Sequence, residues 1–139
     1  MHNGRLIDSI FQFMFTFRSQ LSHELNKAQL SAAPMHMKLL KMIDRMEHCT
    51  AQEIARALNR DKAQINRAVQ EIVTKGYVSK ANNPQDKRSH LLVLTSKGKE
   101  VLQLMNEIEI KLLQKMSNNI PQADIEKFIT TLDKFRQNL

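Results

Sequence analysis

The sequence predicts a mainly α-helical protein with one small β-hairpin. Over most of the 139 residues, apolar side chains recur at steps of three and four, the spacing that places them on one face of a helix. Only three Gly and three Pro are present, which leaves few tight turns. The spacing becomes strand-like only between positions 77 and 94, so a single hairpin is expected there.

The first predicted element is a long helix from Leu6 to Leu25. Its apolar stripe contains Leu6, Ile7, Ile10, Phe13, Met14, Phe17, Leu21 and Leu25. Phe11 and Phe15 widen this stripe, and a helix that is apolar on more than one side needs more than one neighbour. In so short a chain we expect that neighbour to be a second subunit, with packing inside one chain as the alternative.

Two further helices are predicted from their starting residues. Pro34 suits the first position of a helix whose apolar period continues up to Cys49. The stretch Thr50-Ala-Gln-Glu53 has the pattern of a capping box, in which both side chains satisfy free amides of the first turn. A short helix through Leu58 should begin there.

The next helix should run from the N-cap residue Asp61 to about Lys75, with Gly76 in the left-handed position that ends it. Two short strands then follow, from Tyr77 to Ala81 and from Ser89 to Leu94. The residues between them form turns readily and carry charge, so they predict the loop of a hairpin.

Two amphipathic helices complete the prediction. The first follows Thr95 and carries Val101, Met105, Ile108, Leu112 and Met116 on its apolar face. Pro121 opens the second. Its expected buried face consists of Ile125, Phe128, Ile129, Leu132 and Phe135.

The segment from Ala51 to Ala68 has the organisation of a helix-turn-helix. Small Ala55 allows two helices to cross closely, and Asn59 stands where the chain turns, in a position that favours a left-handed conformation. Ile65 anchors the second helix, so one side of that helix must point away from the core. The residues expected on this outward face are Ala63, Gln64, Arg67, Gln70 and Thr74, with Lys62 and Asn66 on its flanks.

These outward side chains are the types that recognise duplex DNA. Arg binds guanine through two hydrogen bonds, Gln and Asn do the same for adenine, and Ala contacts the thymine methyl group. Lys62 and Asn66 lie where phosphate contacts are expected. The alternative for each residue is an ordinary solvated helix face.

Positive charge is concentrated in the same region. The formal net charge is +7, and the stretch from Asp61 to Lys99 holds eight Lys or Arg against three Asp or Glu. Lys80, Lys87 and Arg88 lie on or beside the hairpin loop, from which long cations can reach a neighbouring minor groove. This concentration argues against a uniformly basic surface as the source of the charge. Asp86 is expected to orient an arginine of the wing or helix through a charge-assisted bond.

Several motifs together resemble the multiple-antibiotic-resistance regulator (MarR) family. They are Thr50-Ala-Gln-Glu-Ile-Ala-Arg-Ala-Leu58, Asp61-Lys-Ala-Gln-Ile-Asn-Arg67, Lys75-Gly-Tyr-Val78, Asp86-Lys-Arg88 and Leu94-Thr-Ser-Lys-Gly98. The resemblance implies a winged helix-turn-helix over residues 31–95, with dimerisation helices in residues 1–30 and 96–139. It also implies a homodimer that binds double-stranded DNA at a pseudo-palindromic operator and acts as a ligand-responsive repressor. A pocket for a small aromatic or phenolic effector would lie between the two parts, assembled from distant segments.

Other function classes are disfavoured. No phosphate loop, nucleophile elbow or metalloprotease motif is present, so we expect no enzyme activity and no cofactor. The five His have no metal-ligand spacing, and Cys49 is expected to be a buried, inert thiol rather than a redox sensor. No stretch predicts export or a membrane span, which favours the cytoplasm. The remaining alternative is a winged-helix protein-interaction module in a larger assembly.

Overall fold

The computed structural model describes residues 3–30 and 32–139. This part of the chain forms six helices and a two-stranded sheet, in agreement with the predicted fold class. In order, the elements are α1 (Asn3–Lys27), α2 (Pro34–Arg45), α3 (Ala51–Leu58), α4 (Lys62–Thr74), β1 (Val78–Asn82), β2 (His90–Leu94), α5 (Ser96–Met116) and α6 (Gln122–Asn138).

The element ends differ from the predictions by a few residues. Helix α2 ends at Arg45 instead of continuing to Cys49, because Met46 adopts an extended conformation with φ −88° and ψ 127°. Strand β1 begins at Val78 and not at Tyr77, since the Tyr77 N–H donates back to the Ile72 carbonyl (3.0 Å) and so belongs to the end of α4.

The two strands form an antiparallel hairpin in which Val78 faces Leu94 and Asn82 faces His90. The Leu92 N–H also donates to the carbonyl of Cys49 at 2.8 Å, so the hairpin is fastened to the segment that leads into α3. The wing is therefore held next to the helix-turn-helix.

One core unites α2, α3, α4 and the hairpin with parts of α1 and α5. Its most completely buried large side chains are Leu25, Leu39, Leu40, Ile54, Ile65, Ile72 and Met105. Burial of such side chains is the main source of stability in a domain of this size. The outward face of α4 is thus fixed relative to the hairpin.

Helix α6 corrects one prediction. The expected buried face of Phe128, Ile129, Leu132 and Phe135 is exposed within a single chain, and α6 has no buried residue. The apolar pattern was recognised correctly, but no other helix of the described chain covers it. Much of the N-terminal half of α1 is apolar and exposed in the same way.

Candidate nucleic-acid interface

The turn between α3 and α4 is set by local interactions that the sequence predicted. The Thr50 hydroxyl accepts a hydrogen bond from the Glu53 N–H (3.2 Å), which is one half of the capping box. Asn59 is left-handed, with φ 49° and ψ 47°. Asp61 occupies the N-cap of α4, but its side chain makes no capping hydrogen bond, so that α4 starts without the predicted carboxylate cap.

Helix α4 presents its predicted outward face to solvent. Ile65, Val69 and Ile72 are buried on the inner side. The residues predicted to contact DNA are all exposed: Lys62, Ala63, Gln64, Asn66, Arg67, Gln70 and Thr74. The face therefore offers amide and guanidinium groups at the spacing of successive helical turns, as base recognition requires.

The wing is tied to α4 and ordered by its own side chains. Lys80 on β1 donates to the Gln70 side-chain oxygen at 3.5 Å. The Asp86 carboxylate accepts a hydrogen bond from the backbone N–H of Arg88 (2.9 Å), so the contact seen is with the Arg88 backbone and not with the guanidinium that the sequence suggested. Asn83 donates to the Ser89 hydroxyl at 2.9 Å. These bonds order the loop that carries the exposed Lys87 and Arg88.

A groove of about 350 Å³ lies between α4, the start of α3 and the wing. It brings together five of the predicted residues, namely Lys62, Asn66, Gln70, Lys80 and Arg88. Arg67, Gln64, Ala63, Thr74 and Lys87 do not line it. The groove therefore has a cationic wall suited to a phosphate backbone. Arg67 lies outside the groove, on the exposed face of α4.

Gln52 and His90 also line this groove, and sequence reasoning missed both. Gln52 lies inside the capping-box motif, where only the two capping residues drew attention. His90 begins β2, and its closeness to α4 depends on the pairing of the strands, which spacing does not reveal.

The remaining chemistry of the described residues is limited. They contain no group of three or more His, Cys, Asp or Glu placed to hold a metal ion. Cys49 is buried, and burial, together with the charge of Glu53, raises the pKa of its thiol to about 11. No helix in the described part of the chain has the length and apolar character needed to cross a bilayer.

Comparison with known proteins shows which family this part of the chain resembles. A family model described as "MarR family" matches residues 31–89, which include α2, α3, α4 and the wing loop. The structure of wild-type MarR from E. coli in its apo form aligns with a TM-score of 0.75 at 25% identity, covering 97% of each chain. Residues 31–89 of the chain therefore match the MarR family, and the likeness in fold extends over almost the whole chain.

Relatives of this chain include an HTH-type transcriptional regulator from Bacillus subtilis, 23% identical over 103 residues. That alignment covers 74% of this chain but only 63% of the Bacillus protein, less than two thirds of its length. A mutant of E. coli MarR complexed with operator DNA aligns at 26% identity with a TM-score of 0.80, covering 95% of this chain and 91% of that one. The MepR–DNA complex of S. aureus has a TM-score of 0.85 at 17% identity, over 100% of this chain and 99% of MepR, and shows the shared fold.

Proposed function

We propose that this protein binds duplex DNA in a sequence-specific manner and regulates transcription. The observation that carries the proposal is the exposed face of α4, where Gln64, Arg67 and Gln70 stand beside a wing that carries Lys80 and Arg88. This face is polar and cationic, whereas a protein-interaction module would present an apolar or acidic surface. The operator complex of the similar E. coli protein supports the same function.

In this proposal α4 enters a major groove and the wing follows the adjacent backbone and minor groove. Side chains at the outermost line of α4 then contact base edges, and the cations along the groove beside it neutralise phosphates. Neutralised phosphates release counterions, so affinity should fall steeply as salt concentration rises.

We further propose that the protein acts as a homodimer. An apolar groove of about 520 Å³ lies between the two ends of the chain, lined in part by Leu6, Ile7, Ile10, Ile129, Leu132 and Phe135. Such a continuous apolar surface is normally covered by a partner. A second copy would cover it symmetrically, and the two α4 helices would then contact half-sites of a pseudo-palindrome about 34 Å apart.

A small anionic effector is proposed to regulate binding from a cavity of about 370 Å³ between α1, α2 and α5. Pro34, Met37 and Met42 give it an apolar lining. Lys38 and Arg45 supply positive charge, while the third cation, Lys41, is paired with Glu109, which also lines the cavity. This combination suits a small aromatic or phenolic anion. A ligand that favours the dimer with an unsuitable distance between its α4 helices would release DNA and relieve repression.

The function places the protein in the cytoplasm, beside its DNA.

Selection of bound fragments from genomic DNA, followed by gel-shift measurement on the enriched sequences, tests the proposed function. We expect enrichment of an inverted repeat whose half-sites are one helical turn apart. A specific regulator binds such a site about 10³-fold or more tightly than random DNA. Equal affinity for enriched and scrambled DNA would contradict the proposal and favour an interaction module.

A further inference from the structure

Glu71 is the only acidic residue within α4. It lies one helical turn after Arg67, the separation at which carboxylate and guanidinium side chains form ion pairs along a helix. Lys75 follows one turn further on. With 51% of its side chain exposed, Glu71 is not restrained by burial alone. A carboxylate that turned toward Arg67 would occupy that cation and would also repel the phosphates of approaching DNA.

His36 holds the Glu71 carboxylate in a different place. Its side chain is 6% exposed, and its Nε2 lies 2.6 Å from Oε2 of Glu71. The other ring nitrogen, Nδ1, accepts a hydrogen bond from the Ala33 N–H at 3.0 Å. Because Nδ1 acts as an acceptor, the proton of the neutral ring is on Nε2, which therefore donates to Glu71. The ring thus joins the N-cap of α2 to the flank of α4.

Arg67 is left available as a result. Among the described residues it forms no ion pair and no side-chain hydrogen bond, although a carboxylate stands one turn away on the same helix. The hydrogen bond to His36 directs that carboxylate toward α2, on the side of the core, and away from the exposed face.

We propose that His36 is a positioning residue for DNA recognition, which draws Glu71 away from Arg67 and so keeps the guanidinium available to the bases. This inference rests on the proposed function, because it assigns His36 a role in the same DNA contact. His36 acts through Glu71 and does not itself touch DNA.

The test uses the full-length protein with His36 replaced in two ways. In His36→Asn the amide oxygen stands near the position of Nδ1 and still accepts from Ala33, but the side chain is too short to reach Glu71. In His36→Gln the longer amide places a donor near the position of Nε2. Glu71→Gln, alone and combined with His36→Asn, removes the charge that His36 is proposed to restrain.

Two control variants isolate the effect. His23→Asn replaces an exposed histidine on α1, and Glu100→Gln removes one negative charge from an exposed position on α5. Affinity for the selected operator and for scrambled DNA is measured at one salt concentration. Thermal unfolding by circular dichroism is followed for every variant, because loss of the buried imidazole also affects packing.

We expect His36→Asn to weaken operator binding about tenfold over the two subunits, since a released carboxylate competes for Arg67 and faces the phosphates. His36→Gln should remain closer to wild type. The double variant should regain the affinity of Glu71→Gln, even if it unfolds at the lower temperature of His36→Asn.

A double variant that binds as weakly as His36→Asn would overturn the proposal, because the histidine would then act only through packing. Failure of the proposal about His36 is distinguishable from failure of the proposed function. In the first case the wild-type protein still prefers its operator over scrambled DNA, whereas in the second it shows no such preference and both proposals fall.

Discussion

Lys41 of α2 forms an ion pair with Glu109 of α5, 68 residues further along the chain. The pair joins the helix-turn-helix unit to the long helix that follows the wing. Both side chains keep part of their solvent exposure, so we expect a coupling energy of about 0.5–1 kcal/mol that decreases as salt is added. A double-mutant cycle with Lys41→Met and Glu109→Gln, followed by urea unfolding, measures it.

The matched control is the pair between Asp133 and Arg136 on α6, which is more exposed and lies within one helical turn. Its coupling energy should be close to zero, because two mobile surface side chains gain little from pairing in water. Equal coupling in the two cycles, or none for Lys41 and Glu109, would contradict a role for that pair in joining the two parts.

Gly98 allows α5 to pack against the end of α4. A Cβ at this position would overlap the carbonyl oxygen of Tyr77 and lie 2.9 Å from its carbonyl carbon. That oxygen already accepts from the Thr95 N–H at 3.0 Å, so the backbone has little room to move. We expect Gly98→Ala to lower the free energy of unfolding by about 1–3 kcal/mol, the usual effect of overpacking.

Gly4→Ala serves as the control for Gly98→Ala, because a Cβ at Gly4 would meet no atom within 4 Å. In a helix this change should be neutral or stabilise by up to about 1 kcal/mol. Urea unfolding of both variants checks the pair of predictions. Wild-type stability in Gly98→Ala would show that the close approach to Tyr77 is not a constraint.

Cys49 should be unreactive in the folded protein. Burial, with a further contribution from Glu53, raises the pKa of its thiol from about 9 to about 11. At pH 8 the thiol is therefore protonated, and the nucleophilic thiolate is scarce. We expect Ellman's reagent to modify folded protein only at the rate of unfolding, and denatured protein at once. Rapid, complete modification of folded protein would contradict the inert assignment.

The same shift predicts a pH dependence of stability. The folded-state pKa is the higher one, so the thiol costs no stability below pH 9, where it is protonated in both states. Between about pH 9 and 11 the unfolded state loses its proton first, and stability should fall. Replacement of Cys49 by Ala should remove this part of the dependence in urea unfolding measured across that range.

The exposed apolar face of α6 should be needed for dimerisation. Ile129→Asp places a charge within this face, which we expect to produce monomers or aggregates because a buried, unpaired carboxylate is strongly unfavourable. Thr130→Asp, one residue on, lies on the opposite side of the helix and should leave the dimer intact. Sedimentation velocity distinguishes these states, and a stable Ile129→Asp dimer would contradict the proposed interface.

Local signals in the sequence were enough to predict much of the recognition unit. The capping residue Thr50, the left-handed Asn59 and Gly76, and the inner and outer faces of α4 all depend on residues close together in the chain. The family resemblance found from these motifs is also confirmed. Physical rules that act over three or four residues suffice for such features.

What the sequence did not reveal depends on residues that are distant along the chain. His36 and Glu71 are 35 residues apart, and no spacing rule joins a histidine of one helix to an acid of another. The role of Gly98 depends on where the fold places the backbone of Tyr77. The apolar face of α6 was recognised, but the pattern alone does not reveal that the described chain leaves this face exposed.

The most direct test of the account is the base preference of Arg67→Ala, measured by selection from a randomised DNA pool beside Arg88→Ala and the wild-type protein. The account predicts that Arg67→Ala loses about 1–3 kcal/mol of operator binding together with the preference at one base pair of each half-site. Arg88→Ala should weaken binding to all sequences, reduce the salt dependence and keep the base preference. An Arg67→Ala protein that selects the wild-type sequence, or loses equal affinity for operator and random DNA, would contradict base recognition by α4.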